Sequence, residues 1–434
     1  MDRELLKQLI LDVNENIAKD TGIRRSALDI VLRYAKTDHT VVITGPRRCG
    51  KSTLLRQYIK KTGNAVYYFS FDDERLTNFL EDDFSVIHDL FLELYGERKI
   101  FLLDEVQNVR GWEKFVNRMQ KNKYKFILTG SNAHLLSKEF STFLTGRHLD
   151  VQLFPFSFEE FIRSKRMCGK SDCLDSVDKR DAVQFENVSS REKGMLKNEF
   201  SQYFTNGGFP EFVRSEEKDI LKRLYEDIIL KDVVLRYGIR EKEALKEIAH
   251  YLISNVARPF TYTKLRDIFS IKTTPTVIDF VTYLEETYLF FTMKRFDSSL
   301  KVQNKSPKKV YAIDNGLINA IAFKQTLDEG RLLENAVFLE LKRQLLEPYY
   351  FSEKNECDFI IKEGRHVHTA IQVTTAITAE NREREVRGLK EAMNAFKLDE
   401  GLIITLNQEY AIVEDTKKIR IVPLWKWSLE HTKK

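Results

Sequence analysis

The spacing of apolar positions changes several times along the chain, and each change marks a different kind of element. Over residues 1–35 apolar side chains recur at helical spacing among charged ones, which predicts helices packed beside the domain that follows. From about residue 40 to about 160 the pattern becomes short apolar runs, at 41–44, 65–71, 100–104, 125–129 and 149–153, separated by helical stretches. Strands alternating with helices predict a parallel sheet covered on both faces. Residues 165–195 hold few large apolar side chains and many charges, and read as an exposed, mobile excursion. Residues 196–300 are mainly helical. Within them 263–269, a turn at 270–273, and 274–286 form a helix-turn-helix pattern, which strands at 289–296 and 309–313 extend to a winged helix. The remainder, 330–434, predicts a helix at 331–346, strands at 349–351, 357–361 and 367–374, a helix at 379–396 and a strand at 401–405. The expected fold class is α/β in three parts: 1–195 with the parallel sheet, 196–315 with helices and the winged helix, and 316–434 with a second α/β core.

A chain of 434 residues is too long for one ordinary core, and 42% apolar residues suffice to fill several. A net charge of +5 neither requires nor excludes a nucleic-acid partner, so local charge has to decide. The four cysteines, Cys49, Cys168, Cys173 and Cys357, are scattered, which suits a reducing compartment better than a disulfide framework. Cys168 and Cys173 have no second Cys or His pair near them and read as solvated loop residues rather than a zinc site. No basic stretch followed by an apolar core opens the sequence, and no apolar run approaches the length of a membrane span. The expected setting is cytoplasmic, with no membrane partner.

The strongest chemical signal follows the first strand. Val41-Val42-Ile43 leads through Thr44 into Gly45-Pro46-Arg47-Arg48-Cys49-Gly50-Lys51-Ser52 and then into the helical stretch from Thr53. Strand, glycine loop and helix in that order, with the spacing GxxxxGK[ST], make a phosphate-binding loop. Gly45 and Gly50 let the loop turn its backbone N–H groups inward, where a helix N-terminus also favours negative charge. The nucleotide-binding set is then Gly45, Pro46, Arg47, Arg48, Cys49, Gly50, Lys51, Ser52 and Thr53. Lys51 supplies a point charge to the β/γ oxygens, and the Ser52 hydroxyl is a ligand for Mg²⁺. The third strand, Ile100-Phe101-Leu102-Leu103, ends in Asp104-Glu105. Asp104 is placed to hold Mg²⁺ opposite Ser52, and Glu105 to orient or deprotonate the attacking water. The next strand ends Thr129-Gly130-Ser131-Asn132, where Ser131 first and Asn132 second are candidates to meet the γ-phosphate. Arg147, after Gly146, is either an arginine finger acting in cis or in trans or a surface arginine.

Several elements occur together: Gly-Pro-Arg-Arg-x-Gly-Lys-Ser, Leu-Leu-Asp-Glu-Val-Gln, Leu-Thr-Gly-Ser, Thr-Gly-Arg and Phe-Pro-Phe-Ser-Phe-Glu-Glu-Phe. In this order they resemble the AAA-like (STAND-related) ATP-binding proteins of bacteria and archaea. Those proteins end in a domain of unknown function with a restriction-endonuclease-like fold. The resemblance spans nearly the whole chain outside 165–195. It implies a P-loop ATPase using ATP and Mg²⁺, a winged-helix middle and a nuclease-like tail. It also implies that Gly207-Gly208-Phe209-Pro210-Glu211 is a lid element whose Pro210 touches the nucleotide. The nuclease core would use Glu334 on a helix, Asp358 on a strand and a Glu-x-Lys on the next strand. That last strand reads Ile371-Gln372-Val373-Thr374, so Gln372 and Thr374 stand where a carboxylate and a lysine are needed. The tail is expected to be a degenerate, non-cleaving domain.

Nucleic-acid binding remains open at the level of residues. The helix 274–287 that should enter a groove has no Lys or Arg and carries Asp279, Glu285 and Glu286. The segment 294–309 instead offers Lys294, Arg295, Lys301, Lys305, Lys308 and Lys309 against a single acid, Asp297. It reads either as a basic wing that follows a phosphate backbone without reading sequence, or as a solvated hairpin of a structural hinge. The favoured function is a slow ATPase acting as a nucleotide-dependent switch that moves the winged helix and tail against a partner, in a chain that can assemble into oligomers. The alternative is an ATP-dependent nucleic-acid-processing enzyme with a Mg²⁺-dependent nuclease in the tail.

Overall fold

The computed structural model of the protein describes residues 1–15, 17, 21–63, 65–132, 147–167, 169, 189–323 and 328–430. Most of the expected excursion at 165–195, with Cys168 and Cys173, lies outside the described residues. The chain divides into two units, Met1–Phe154 with Glu286–Tyr288, and Pro155–Glu285 with Leu289–Lys434.

The first unit is built on five strands, β1 (Thr40–Thr44), β2 (Tyr67–Ser70), β3 (Ile100–Asp104), β4 (Lys125–Gly130) and β5 (His148–Gln152). All pair in parallel, in the order β2-β3-β4-β1-β5. Successive side chains on a strand point to opposite faces, and both faces here are apolar. Phe101, Leu103, Phe126 and Leu128 face one core with α1 (Arg3–Glu15), α4 (Asp83–Tyr95) and α5 (Trp112–Lys121). Val41, Ile43, Leu102 and Ile127 face the other with α2 (Ala27–Tyr34) and α3 (Lys51–Thr62). The first core is strongly aromatic: Phe101 stacks on Phe126 at 5.1 Å and meets Phe115 edge-on at 5.6 Å. Because β4 lies between β1 and β3, the end of β4 sits between the phosphate loop and the acidic pair.

The second unit opens with helices α6 (Phe158–Met167), α7 (Ser190–Asn206), α8 (Pro210–Ser215) and α9 (Asp219–Asp227), the last running on into a wider π-helical stretch, Ile228–Leu235. Then follow α10 (Lys242–Ser254), β6 (Pro259–Phe260), α11 (Tyr262–Ile268), α12 (Thr274–Glu286), β7 (Phe290–Met293), α13 (Leu300–Lys305) and β8 (Lys308–Ala312). The three strands form a small antiparallel sheet in the order β6-β8-β7. Two features differ from the sequence expectation of a basic hairpin. The short helix α13 interrupts the β7–β8 connection, and Lys309 is only 2% exposed because it turns into the protein from β8.

Beyond α14 (Asn315–Ile321) and α15 (Glu329–Arg343) comes a six-stranded mixed sheet. Its strands are β9 (Pro348–Ser352), β10 (Glu356–Glu363), β11 (His366–Val373), β12 (Glu400–Thr405), β13 (Tyr410–Glu414) and β14 (Lys417–Pro423), in the order β13-β14-β12-β11-β10-β9. On one face α16 (Arg382–Ala395) contributes Leu389, Ala392 and Met393 to a core with Ile360, Ala370 and Ile403. Elsewhere in the unit, Phe338 of α15 stacks flat on Tyr311 of β8 at 4.1 Å. The hairpin β13–β14 and the closing helix α17 (Leu424–Glu430) extend the expected α/β unit.

One buried carboxyl explains Gly207, and a backbone contact explains Gly208, where a Cβ would lie 2.3 Å from the Phe156 carbonyl oxygen. Asp314, at the N-cap of α14, accepts from Leu317 N–H at 3.0 Å and from Gly208 N–H at 2.7 Å. Gly207 has φ +75°, and a Cβ there would fall 1.9 Å from Asp314 Oδ1. Burial pushes the Asp314 carboxyl up to about 6, against the N–H groups of Gly208, Leu317 and Gly316 and the charge of Arg343. A carboxyl raised in the folded state contributes stability that is full below its unfolded value and is lost as pH rises through its folded value. Asp314→Asn should therefore flatten the fall in stability between about pH 4 and pH 6, worth about 3 kcal/mol at roughly 1.4 kcal/mol per unit. Urea midpoints across that range check this, and an unchanged slope would refute it.

Candidate functional site

Close approaches that only glycine permits fix both ends of the phosphate loop. A Cβ on Gly45 would lie 2.2 Å from the Leu153 carbonyl oxygen, and one on Gly50, at φ +102°, 2.9 Å from Nη1 of Arg25. Between them Pro46 and Cys49 are buried, Arg47 is half-buried and Arg48 is exposed with a left-handed φ of 62°. Helix α3 starts at Lys51 with Gly50 as N-cap and no side-chain cap, so the amides of its first turn, with Ser52 and Thr53, are free of that competition. The loop is a cradle shaped for a phosphate.

Arg25, which the sequence reading passed over, holds this loop from behind. Its guanidinium is buried and donates to the Cys49 and Phe154 carbonyls at 2.6 Å each, while its own N–H reaches Gln57 Oε1 at 3.0 Å. No local pattern marks it, because its partners are 24 and 129 residues away.

The charged centre joins the ends of β1, β3 and β4. Lys51 is 4% exposed, and its Nζ lies 3.1 Å from the carbonyls of Gly45 and Pro46 and 3.1 Å from Glu105 Oε1. Burial works against the Lys51 ammonium, but the charge and hydrogen bond of Glu105, with Cys49 and Asp104 nearby, together raise its pKa. Burial likewise opposes the Glu105 carboxylate, and the Lys51 charge with hydrogen bonds from Gln107 and Lys51 brings its pKa below the ordinary value. Asp104 goes the other way: burial and then repulsion by Glu105 push it up, while hydrogen bonds from Ser52 and Thr129 oppose the rise. Neighbouring carboxyls are thus driven apart, the pattern expected of groups with different tasks.

Thr129 is the bridge between them. Its hydroxyl donates to Asp104 Oδ1 and accepts the Glu105 N–H at 2.9 Å, and Glu105 is held in the left-handed region at φ 50°. Tyr68 donates to Asp104 Oδ2 at 3.2 Å, and Gln107 donates to Glu105 Oε2 at 2.5 Å and lies 3.4 Å from Ser131 Oγ. Ser131 and Asn132 are buried at the end of β4. Ser52 against Asp104 is an all-oxygen pair of the hardness Mg²⁺ requires, so these residues fit that ion. Arg147 is exposed beside β5, and its carbonyl accepts from Thr40 N–H at the start of β1. That is the end of β1 away from the phosphate loop. Gly146 lies outside the described residues.

In the second unit the expected nuclease-like residues separate into two groups. Glu334 and Asp358 come together around Lys309, whose Nζ is 2.9 Å from Glu334 Oε1 and 3.5 Å from Asp358 Oδ1. Gln372 turns to Glu385 instead, with Nε2 3.1 Å from Oε2, and Thr374 Oγ1 bonds the Ala376 carbonyl at 3.3 Å. What β11 presents to Asp358 is the backbone N–H of Val373, at 2.9 Å. Pro210 opens α8 after the Gly207-Gly208 pair. Of the basic segment, Lys309 is buried, Arg295 donates to the Ser352 carbonyl and Lys308 to Tyr262 Oη at 2.7 Å.

Strand order, glycine loop and acidic pair together define a P-loop NTPase of the AAA class. Residues 37–162 match the model of the AAA domain. Residues 197–328 and 329–427 match two domains of unknown function, DUF8612 and DUF4143. Over 453 aligned residues the chain is 34% identical to an uncharacterized protein of Methanocaldococcus jannaschii, covering 99% of this chain and 97% of that one. It is 30% identical to an uncharacterized protein of Haemophilus influenzae, covering 74% and 78%. The chain belongs to the same family as these two relatives. Among solved structures it is similar to the Aeropyrum pernix ORC1 protein in complex with DNA, at 10% identity and TM-score 0.32 over 74% of this chain and 96% of that one. It is also similar to RuvB of Thermotoga maritima, at 18% identity and TM-score 0.29 over 67% and 93%. Among the described residues no helix is long and apolar enough to cross a membrane.

The bridging hydroxyl generates a specific expectation. Thr129→Val keeps the shape of the side chain and removes both hydrogen bonds, so about 1–3 kcal/mol of stability should be lost. ATP turnover should fall more than ATP affinity, because the groups set free are the Asp104 carboxyl and the backbone N–H that positions Glu105. Equal loss of both, by steady-state kinetics and calorimetry, would show that Thr129 only supports the fold.

Proposed function

We propose that the protein binds ATP with Mg²⁺ and hydrolyses it slowly, using nucleotide state as a switch that acts on a partner through its second unit. The observation that carries this reading is the buried ion pair of Lys51 and Glu105, 3.1 Å apart. Lys51 is the cation that the phosphate-loop pattern directs to the β/γ oxygens, and Glu105 is the carboxylate that would orient the attacking water. Each neutralises the other in this structure, so an entering phosphate competes with Glu105 for the ammonium. Binding then frees Glu105 as its charge partner is taken up elsewhere. A base released by the substrate itself is a device for low idle turnover.

Ser52 and Asp104 would hold Mg²⁺, which supplies charge neutralisation at the phosphate oxygens when bound. Thr129 and Tyr68 fix the Asp104 carboxyl, and Gln107 ties Glu105 toward Ser131, the candidate for sensing the γ-phosphate. Arg147 is proposed as a finger only in trans, which goes with an oligomer, and Pro210 as the lid contact with nucleotide. The middle of the second unit, with α10, β6, α11, α12, β7 and β8 in that order, is proposed as a winged helix. Its exposed Lys294, Lys301 and Lys305 are the cations left for weak, sequence-independent contact with nucleic acid. The tail is proposed as a restriction-endonuclease-like domain that does not cleave, a reading supported by Gln372 and Thr374 turning to other partners.

Lys51→Ala should abolish ATP binding, measured by calorimetry. Glu105→Gln should retain binding while hydrolysis falls by about 10²-fold or more, the usual worth of a general base. Normal hydrolysis by Glu105→Gln would remove Glu105 from its role.

A further inference from the structure

The second unit contains a charge arrangement that the phosphate-loop chemistry does not use. Lys309 projects from β8 and is 2% exposed. Its Nζ is met by three carboxylates, Glu356 at 2.7 Å, Glu334 at 2.9 Å and Asp358 at 3.5 Å. An ammonium has three N–H donors, and here each has a carboxylate oxygen to meet. Two of these carboxylates are also held from elsewhere: Tyr311 Oη donates to the same Glu334 Oε1 at 2.7 Å, and Val373 N–H donates to the far Asp358 oxygen, Oδ2, at 2.9 Å. The Tyr350 ring closes one side, with its centroid 5.7 Å from Nζ. Among the described residues no group of three or more His, Cys, Asp or Glu is arranged to hold a metal ion. These oxygens converge on a nitrogen instead.

Lys309 and its partners also belong to different modules. Lys309 lies in the stretch matched by one family model, at 197–328, and all three carboxylates lie in the stretch matched by the other, at 329–427. We infer that the carboxylate pocket of the tail is a cation site whose cation is the chain's own Lys309 ammonium. That ammonium takes the place of a divalent ion and latches β8 to the tail. A buried ammonium is stable only while its carboxylates are present, and those carboxylates repel one another without a cation. Lys309 and a divalent ion are therefore alternatives for one pocket, and with Lys309 seated the pocket binds none. The inference deepens the reading of the tail as non-cleaving and rests on it.

The test uses the full chain without nucleotide and Mn²⁺ as the probe. Wild type should show no Mn²⁺ binding that depends on Asp358, by electron paramagnetic resonance, and no shift in melting temperature with millimolar Mn²⁺ that Asp358→Asn removes. Lys309→Met should melt several degrees lower, gain one Mn²⁺ site and recover much of the lost melting temperature when Mn²⁺ is added. Lys309→Met combined with Asp358→Asn should lose the gained site. A folded Lys309→Met that gains no Mn²⁺ would overturn the inference. Where Lys309→Met does not fold, wild type decides: Mn²⁺ binding abolished by Asp358→Asn overturns the inference, and its absence supports it. Mg²⁺-dependent DNA cleavage by wild type, lost in Asp358→Ala, would instead sink the non-cleaving reading, and its further loss in Lys309→Met would make Lys309 a catalytic residue rather than a latch.

Discussion

A lysine ammonium cannot remain charged inside a protein unless carboxylates or an equivalent anion meet it, and this constraint organises both units of the chain. Lys51 is 4% exposed and Lys309 2%. The first is matched by one carboxylate and two backbone carbonyls, the second by three carboxylates. The difference in matching is a difference in exchangeability. A single carboxylate partner can be displaced by a phosphate, which brings more negative charge to the same place. Three carboxylates around one ammonium leave no room for a competitor and tie two stretches of chain together.

The fold makes the first arrangement available by strand order. With β4 between β1 and β3, one hydroxyl at the end of β4 reaches Asp104 and the Glu105 backbone at once. Glu105 could not hold its left-handed conformation cheaply without that N–H bond, and Asp104 could not be buried without the hydroxyls of Thr129 and Tyr68. Behind the loop, Arg25 satisfies two carbonyls that turn away from the phosphate side. The residues proposed for catalysis are thus fixed by their neighbours.

What could be read from the chain beforehand follows the range of the interaction. The strands at Ile100–Asp104 and Thr40–Thr44 and the glycine loop are local patterns, and they lie where periodicity and spacing put them. Glycines 207 and 208 were legible as an element but not as a dock for Asp314, whose partner Gly208 is 106 residues away. Lys309 read as one of six cations on a solvated segment, because sequence counts charge and cannot see that β8 turns this one inward. Gln372 and Thr374 were legible as departures from a carboxylate and a lysine. Their turning toward Glu385 and Ala376 was not, since it depends on how α16 and the loop after β11 pack. Thr129 lay within a recognised run, Leu-Thr-Gly-Ser, but its bonds to the Asp104 carboxyl and the Glu105 N–H depend on β4 lying beside β3 and were not legible there.

The central claim is that Glu105 and a nucleotide phosphate compete for Lys51, and ATP affinity measures that competition directly. Calorimetric titration of ATP into Glu105→Gln, beside wild type, compares a pocket whose ammonium has lost its charged partner with one that keeps it. The account predicts tighter binding in Glu105→Gln, by about tenfold, or roughly 1.4 kcal/mol. Equal or weaker binding would contradict it, because the carboxylate would then be no rival of the phosphate.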